Sequence, residues 1–118
     1  MLFAIIEDNV QIAHIITEAL QMRDHSVRHF FDGASFFASL QTPTYDFILV
    51  DLNLPGMVSG LQIVAFLQEK RVPMLIVSGA SESVLKSLQT LYPTLPILRK
   101  PFSITALLQS VEKTPKPQ

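Results

Sequence analysis

Three carboxylates, a hydroxyl and an ammonium group each follow a short apolar run. Glu7 and Asp8 come after Leu2 to Ile6, Asp51 after Phe47 to Val50, Ser78 after Met74 to Val77, and Lys100 after Ile97 to Arg99. Acids without thiols suit a hard cation held by oxygens and water, Mg2+ in the first place with Mn2+ as a substitute. Zinc would want thiolate or imidazole. The chain has no cysteine, and His14, His25 and His29 lack metal-ligand spacing, with only His14 expected near the acids. A hard ion, a lysine and a hydroxyl together suit a phosphoryl group, because the cationic groups neutralise its oxygens. A carboxylate such as Asp51 can act as nucleophile and form an acyl phosphate. Small residues at 56, 60, 79 and 80 leave room for backbone N–H groups beside a phosphate. The glycine patterns of nucleotide-binding loops are absent.

These residues need elements to bring them together. Phe47 to Val50 does not alternate apolar with polar, so it reads as a central strand buried on both faces. Leu2 to Ile6 is a second buried strand, and Asn9 can cap a helix from Val10 to Met22 with Ile12, Ile15, Ile16, Ala19 and Leu20 on one side. Val27 to Phe31 is more polar and belongs nearer an edge. Asp32 or Gly33 opens a helix through Leu40, packed by Phe36, Phe37 and Leu40, and Gln41-Thr42-Pro43-Thr44 breaks it. After Asp51 come a helix from Gly60 to Glu69 packed through Leu61, Val64, Ala65 and Leu67, and a strand from Met74 to Val77. A helix from Glu82 to Leu91, a strand from Ile97 to Arg99, and a helix capped by Ser103 and reaching Glu112 complete the chain. Strict alternation of strand and helix predicts an α/β fold, a single five-stranded parallel sheet with right-handed crossovers and helices on both faces. The strand ends then point the same way, and Glu7, Asp8, Asp51, Ser78 and Lys100 become neighbours at the edge where open α/β sheets bind ligands. Periodicity alone leaves the strand order open.

A chain of 118 residues fits one domain, expected over 1–113, with 114–118 as a tail or the start of a linker. The formal net charge of -1, with no basic stripe, gives direct nucleic-acid binding no electrostatic support. The apolar start meets Glu7 and Asp8 without a basic region before it, unlike a signal peptide. No apolar run is long enough to cross a bilayer. A cytoplasmic domain without membrane insertion is the expectation.

The acidic pair Glu7-Asp8, the segment Asp51 to Pro55-Gly56, Ser78, and Lys100-Pro101-Phe102 stand in the order and on the elements of a response-regulator receiver domain of two-component signalling, which the chain resembles over nearly its whole length. The resemblance implies a flavodoxin-like sheet in the order 2-1-3-4-5. It implies Asp51 as phosphoacceptor, with Mg2+ bound by Asp8, Asp51 and the backbone carbonyl of Asn53, and Glu7 assisting through a water. Lys100 would contact the phosphoryl oxygens and the acceptor carboxylate, Ser78 would move in as the switch hydroxyl, and a cis Lys100–Pro101 bond would aim the lysine inward. The donor would be a sensor histidine kinase or a histidine phosphotransfer protein, and the domain would catalyse only its own phosphorylation and dephosphorylation. The surface of the fourth helix, fifth strand and fifth helix would then control an output domain or effector, or form a homodimer, with Gln89, Leu91, Tyr92, Arg99 and Ser103 as candidate residues.

Each assignment has a plainer rival: Glu7 and Asp8 as helix caps, Ser78 as a cap, Lys100 as a surface lysine. Three features depart from the family pattern. Ile97 stands where a switch Tyr or Phe is usual, Tyr92-Pro93-Thr94-Leu95-Pro96 replaces a small acidic turn, and Val58 is a one-residue insertion beside Asp51. Two other functions stay open at this point. One is a phosphorylation-independent docking domain on the same fold. The other is a small phosphohydrolase, which would want a second Asp where Asn53 stands.

Overall fold

The computed structural model describes residues 1–41 and 44–114. Thr42 and Pro43 of the expected break, and residues 115–118 of the expected tail, lie outside the described residues. Thr114 itself is buried, and its Oγ1 donates to the Ser110 carbonyl at 2.7 Å.

Strand and helix alternate throughout: β1 (Leu2–Ile6), α1 (Val10–Gln21), β2 (Ser26–Phe30), α2 (Gly33–Ser39), β3 (Phe47–Val50), α3 (Gly60–Lys70), β4 (Met74–Ser78), α4 (Glu82–Leu91), β5 (Ile97–Arg99) and α5 (Ile104–Lys113). The strands pair in parallel in the order β2-β1-β3-β4-β5, the flavodoxin-like arrangement. Alternation along each strand splits the interior into two layers. Phe3, Ile5, Phe47, Leu49, Leu75 and Val77 pack under α1 and α5. Ala4, Ile6, Ile48, Val50 and Ile76 pack under α2, α3 and α4. Both faces of β1, β3 and β4 are therefore covered, which explains why those strands read as unbroken apolar runs. Each large buried side chain contributes roughly 1.5–3 kcal/mol relative to exposure.

Helix starts follow local chemistry. Asn9 Oδ1 accepts from Ile12 N at 3.0 Å, Asp32 Oδ1 from Ser35 N at 2.7 Å, and Ser103 Oγ from Ala106 N at 3.0 Å. Ser59 and Gln62 exchange side-chain and backbone bonds in a capping box at α3. At α4 the Ser81 hydroxyl instead meets Ser83 Oγ at 3.2 Å.

Several expected positions shift. β2 begins at Ser26 and ends at Phe30, leaving Phe31 exposed, and Ser78 is the last residue of β4. On α1, Ile15 faces outward and Ala13 takes its place inside. On α3, Leu61 and Ala65 are exposed, whereas Ile63, Val64 and Leu67 are buried. The phase of α3 is set at its first residue. A Cβ on Gly60 would lie 2.5 Å from both the Asp51 carbonyl oxygen and Leu52 Cα, so glycine alone allows this approach. With residue 60 pointing inward, 63, 64 and 67 must follow it.

Candidate functional site

β1 and β3 lie side by side in the middle of the sheet, and the chain leaves β1 toward β2 on one side and returns to β3 on the other. A crevice opens at such a reversal. The Asp51 N–H donates to the Ile6 carbonyl at 3.0 Å, which draws the end of β3 level with the acidic turn after β1. Glu7, Asp8 and Asp51 consequently bring one carboxylate oxygen each within 4.8 Å of one another. Glu7 and Asp51 are buried and Asp8 is exposed.

Lys100 arrives from the edge of the sheet. Its N–H extends the β4–β5 ladder to the Ser78 carbonyl at 2.9 Å, and the Lys100–Pro101 peptide is cis. The side chain passes over the end of β4 to place Nζ 2.5 Å from Glu7 Oε1 and 3.2 Å from Asp51 Oδ2. Asp51 Oδ1 accepts from the backbone N–H of Asn53 at 3.0 Å, so both oxygens of this carboxylate have donors. Ser78 is buried at the end of β4, where its Oγ accepts from Ala80 N at 2.9 Å. Its hydroxyl orders the turn into α4.

The charge balance is uneven. Three carboxylates face one ammonium, which leaves two negative charges when all are ionised, the charge that one divalent cation would neutralise. Burial pushes the Glu7 carboxyl up to about 7, and the neighbouring Asp51 adds to this through its hydrogen bond and its charge. Lys100 and the Asn9 N–H pull the other way without cancelling it. Burial lowers the Lys100 ammonium, but the Glu7 hydrogen bond and the charges of Asp51 and Glu7 outweigh it, so the net direction is upward. Oxygen donors alone, with excess negative charge and one exposed member, fit a hard divalent cation.

The sequence-predicted residues thus divide. Glu7, Asp8, Asp51 and Lys100 converge, Asn53 joins through its backbone amide, and Ser78 stands at the neighbouring strand end. Glu7, expected to assist a metal ion through a water, accepts a hydrogen bond from Lys100 Nζ. Ile97 is half-buried on the α4 side, paired in register with Ile76, and packs against the cluster containing Leu85 and Leu88. Val58 sits against Gly33 of α2, where an added Cβ would lie 2.5 Å from its Cγ1, and packs against the cluster that contains Ile63 of α3. In the turn before β5, Leu95 is buried and Tyr92 packs beside it. Among the surface candidates, Gln89, Leu91 and Ser103 are exposed, Ser103 as the α5 cap, and the Arg99 guanidinium pairs with the Glu82 carboxylate, with Nη2 2.7 Å from Oε2. One expectation is corrected. His14 is exposed and pairs with Glu18, while His29 reaches the acidic turn, its Nε2 2.7 Å from the Glu7 carbonyl oxygen. Register, which spacing does not reveal, brings it there.

The family model described as response regulator receiver domain matches residues 3–112. The regulatory protein VirG of Agrobacterium tumefaciens is 33% identical over 109 residues, which cover 91% of this chain and 40% of VirG. The chemotaxis protein CheY4 of Vibrio cholerae superposes with a TM-score of 0.83 at 24% identity, covering 97% of this chain and 98% of CheY4. A response regulator from Burkholderia pseudomallei, solved with a phosphorylated aspartic acid and a calcium ion, superposes with a TM-score of 0.78 at 24% identity, over 95% of this chain and 66% of that one. At such identities the superpositions speak for the fold. The chain spans less than half the length of the curated relatives it matches. No helix among the described residues is long and apolar enough to cross a membrane.

Proposed function

Because the chain belongs to the response regulator receiver domain family, we propose that it is a phosphorylation-dependent switch whose acceptor is Asp51. The observation that carries this reading is the Asp51 carboxylate itself, buried at the carboxyl edge of the sheet with Lys100 on one oxygen and a backbone amide on the other. A carboxylate oxygen of Asp51 attacks phosphorus, the bond to the donor's imidazole nitrogen breaks, and the phosphoryl group becomes an acyl phosphate. The donor is a sensor histidine kinase or a histidine phosphotransfer protein. Water later attacks the same phosphorus, releasing inorganic phosphate and restoring the carboxylate, so the domain acts on itself and turns over no separate substrate.

Lys100 keeps a positive charge beside the oxygen that reacts. The Asn53 N–H fixes the rotation of the carboxylate. Asp8, Asp51 and the Asn53 carbonyl would hold Mg2+, or Mn2+ in its place, with Glu7 contributing through a water, and the bound ion supplies charge neutralisation at the phosphoryl oxygens. Ser78, released from Ala80 N, turns its hydroxyl toward the phosphoryl group, and Ile97 repacks beneath α4 in response. Phosphorylation thereby shifts the population of the α4-β5-α5 surface, which controls an output domain, an effector or a second copy of the domain. Residues 1–113 form this unit, and the setting is the cytoplasm. Direct nucleic-acid binding by this domain finds no support in its charge.

Ile97 favours one second reading, a phosphorylation-independent docking module, since an aliphatic residue occupies the place of the switch aromatic. Intact mass after incubation with acetyl phosphate and Mg2+ separates the two. A labile gain of about 80 Da, which does not form when EDTA replaces Mg2+ in the incubation or when Asp51 is changed to Ala, is the expected result. A folded protein that takes no adduct overturns the switch.

A further inference from the structure

One contact behind the acidic turn takes no direct part in phosphoryl transfer. His29 is aligned with Ile5 in the β1–β2 ladder, and its half-buried ring extends beyond the end of β1, where Nε2 meets the Glu7 carbonyl oxygen at 2.7 Å. A carbonyl oxygen only accepts, so Nε2 carries the proton and donates it. The imidazole lies against Phe31, two residues along, with ring centroids 4.3 Å apart and planes at 55°.

The consequence follows from peptide planarity. The Glu7 carbonyl belongs to the rigid plane that joins Glu7 to Asp8, and the tilt of that plane determines where the Asp8 side chain leaves the backbone. The preceding plane is held too, because the Glu7 N–H donates to the Phe30 carbonyl at 3.0 Å. Glu7 Oε2 in turn accepts from Asn9 N at 3.2 Å, which closes the turn on itself. Successive residues of the edge strand therefore hold both peptides of Glu7, one by backbone and one by side chain.

We infer that His29 is a positioning residue for the carboxylate cluster: by holding the Glu7–Asp8 peptide it aims both acids at a divalent cation, while Phe31 supports the imidazole from outside. This rests on the reading of the cluster as a cation site.

The test combines calorimetric titration of Mg2+ into the full chain with amide hydrogen exchange in EDTA, for the unaltered protein, His29→Ala and His29→Gln. His29→Ala should weaken Mg2+ binding about tenfold and speed exchange at the Asn9 amide roughly fivefold. His29→Gln, whose amide can donate from a similar reach, should recover most of both. Unchanged affinity in His29→Ala overturns the inference, as do equal losses in the two variants, which would make ring packing the cause. If the unaltered chain takes up no Mg2+, the cation reading fails by itself, and exchange in EDTA still decides whether His29 holds the turn. Faster exchange in His29→Ala alone supports it, and identical rates overturn it.

Discussion

Two aspartates bracket the same central strand, Asp46 just before β3 and Asp51 just after it, and they live under opposite conditions. Asp46 is exposed, accepts the Leu2 N–H on Oδ2 at 2.7 Å and donates its own N–H to the Leu2 carbonyl at 2.8 Å. A neutral backbone satisfies it, and the result is a clasp between β1 and β3. Asp51 is buried beside two further acids and shares one lysine with Glu7. Its local charge is in excess. One end of the strand is arranged for stability and the other keeps charge in reserve for something that binds.

That contrast can be attacked from both ends, and the largest effect should come from removing the shared cation. Lys100→Met leaves Glu7 and Asp51 buried without their partner and should cost about 3 kcal/mol in denaturant unfolding at pH 8 with EDTA. A loss no larger than that of a surface lysine would mean that water already screens the crevice.

The next effect concerns pH. Glu7 has a folded value of about 7 against an ordinary 4.5, so between these limits the native state holds a proton that the unfolded chain has released. Stability in EDTA must therefore fall as pH rises through that window, by at most about 3 kcal/mol. Glu7→Gln removes the group that titrates and should flatten the slope, which unfolding curves at a series of pH values would reveal. A slope that survives the substitution would place the excess charge elsewhere.

The smallest effect belongs to the clasp. Asp46→Ala should cost about 1 kcal/mol and leave the acetyl phosphate adduct intact in the mass spectrum. An Asp46→Ala protein that folds normally but loses the adduct would show that the two ends of β3 are coupled, and the comparison would fail.

How much of this was legible in the residues varies with the physics involved. Unbroken apolar runs announced β1, β3 and β4 because burial on both faces leaves no room for alternation. Carboxylates at the ends of β1 and β3 and a hydroxyl at the end of β4 pointed to the candidate site, and the strand order came from the family likeness, since hydrophobicity is blind to which strands are neighbours. The facing of α3 was misread. Leu61 and Ala65 are apolar enough to belong inside, but a backbone contact at Gly60, invisible in sequence, fixes the rotation. His29 escaped notice for a related reason: it lies 22 residues from Glu7, and only the β1–β2 register brings the two together. The direct Glu7–Lys100 pair spans 93 residues and depends on the lysine reaching across β4, a matter of side-chain length over strand spacing. Local signals wrote the elements, and cross-strand geometry wrote the contacts.

The tight seat of Gly60 against the Asp51 carbonyl has a consequence for how this fold can change over time. Residues 52–59 leave and rejoin the domain at nearly the same spot, like a ribbon stapled at its two ends to one board. Slack added to the ribbon is taken up outside the staple. Met57 at its tip is almost wholly exposed, and Val58 rests against Gly33 of α2. Change at the tip, around Met57, can therefore re-surface the rim, while the near end stays tied to the site by the Asn53 N–H on Asp51 Oδ1.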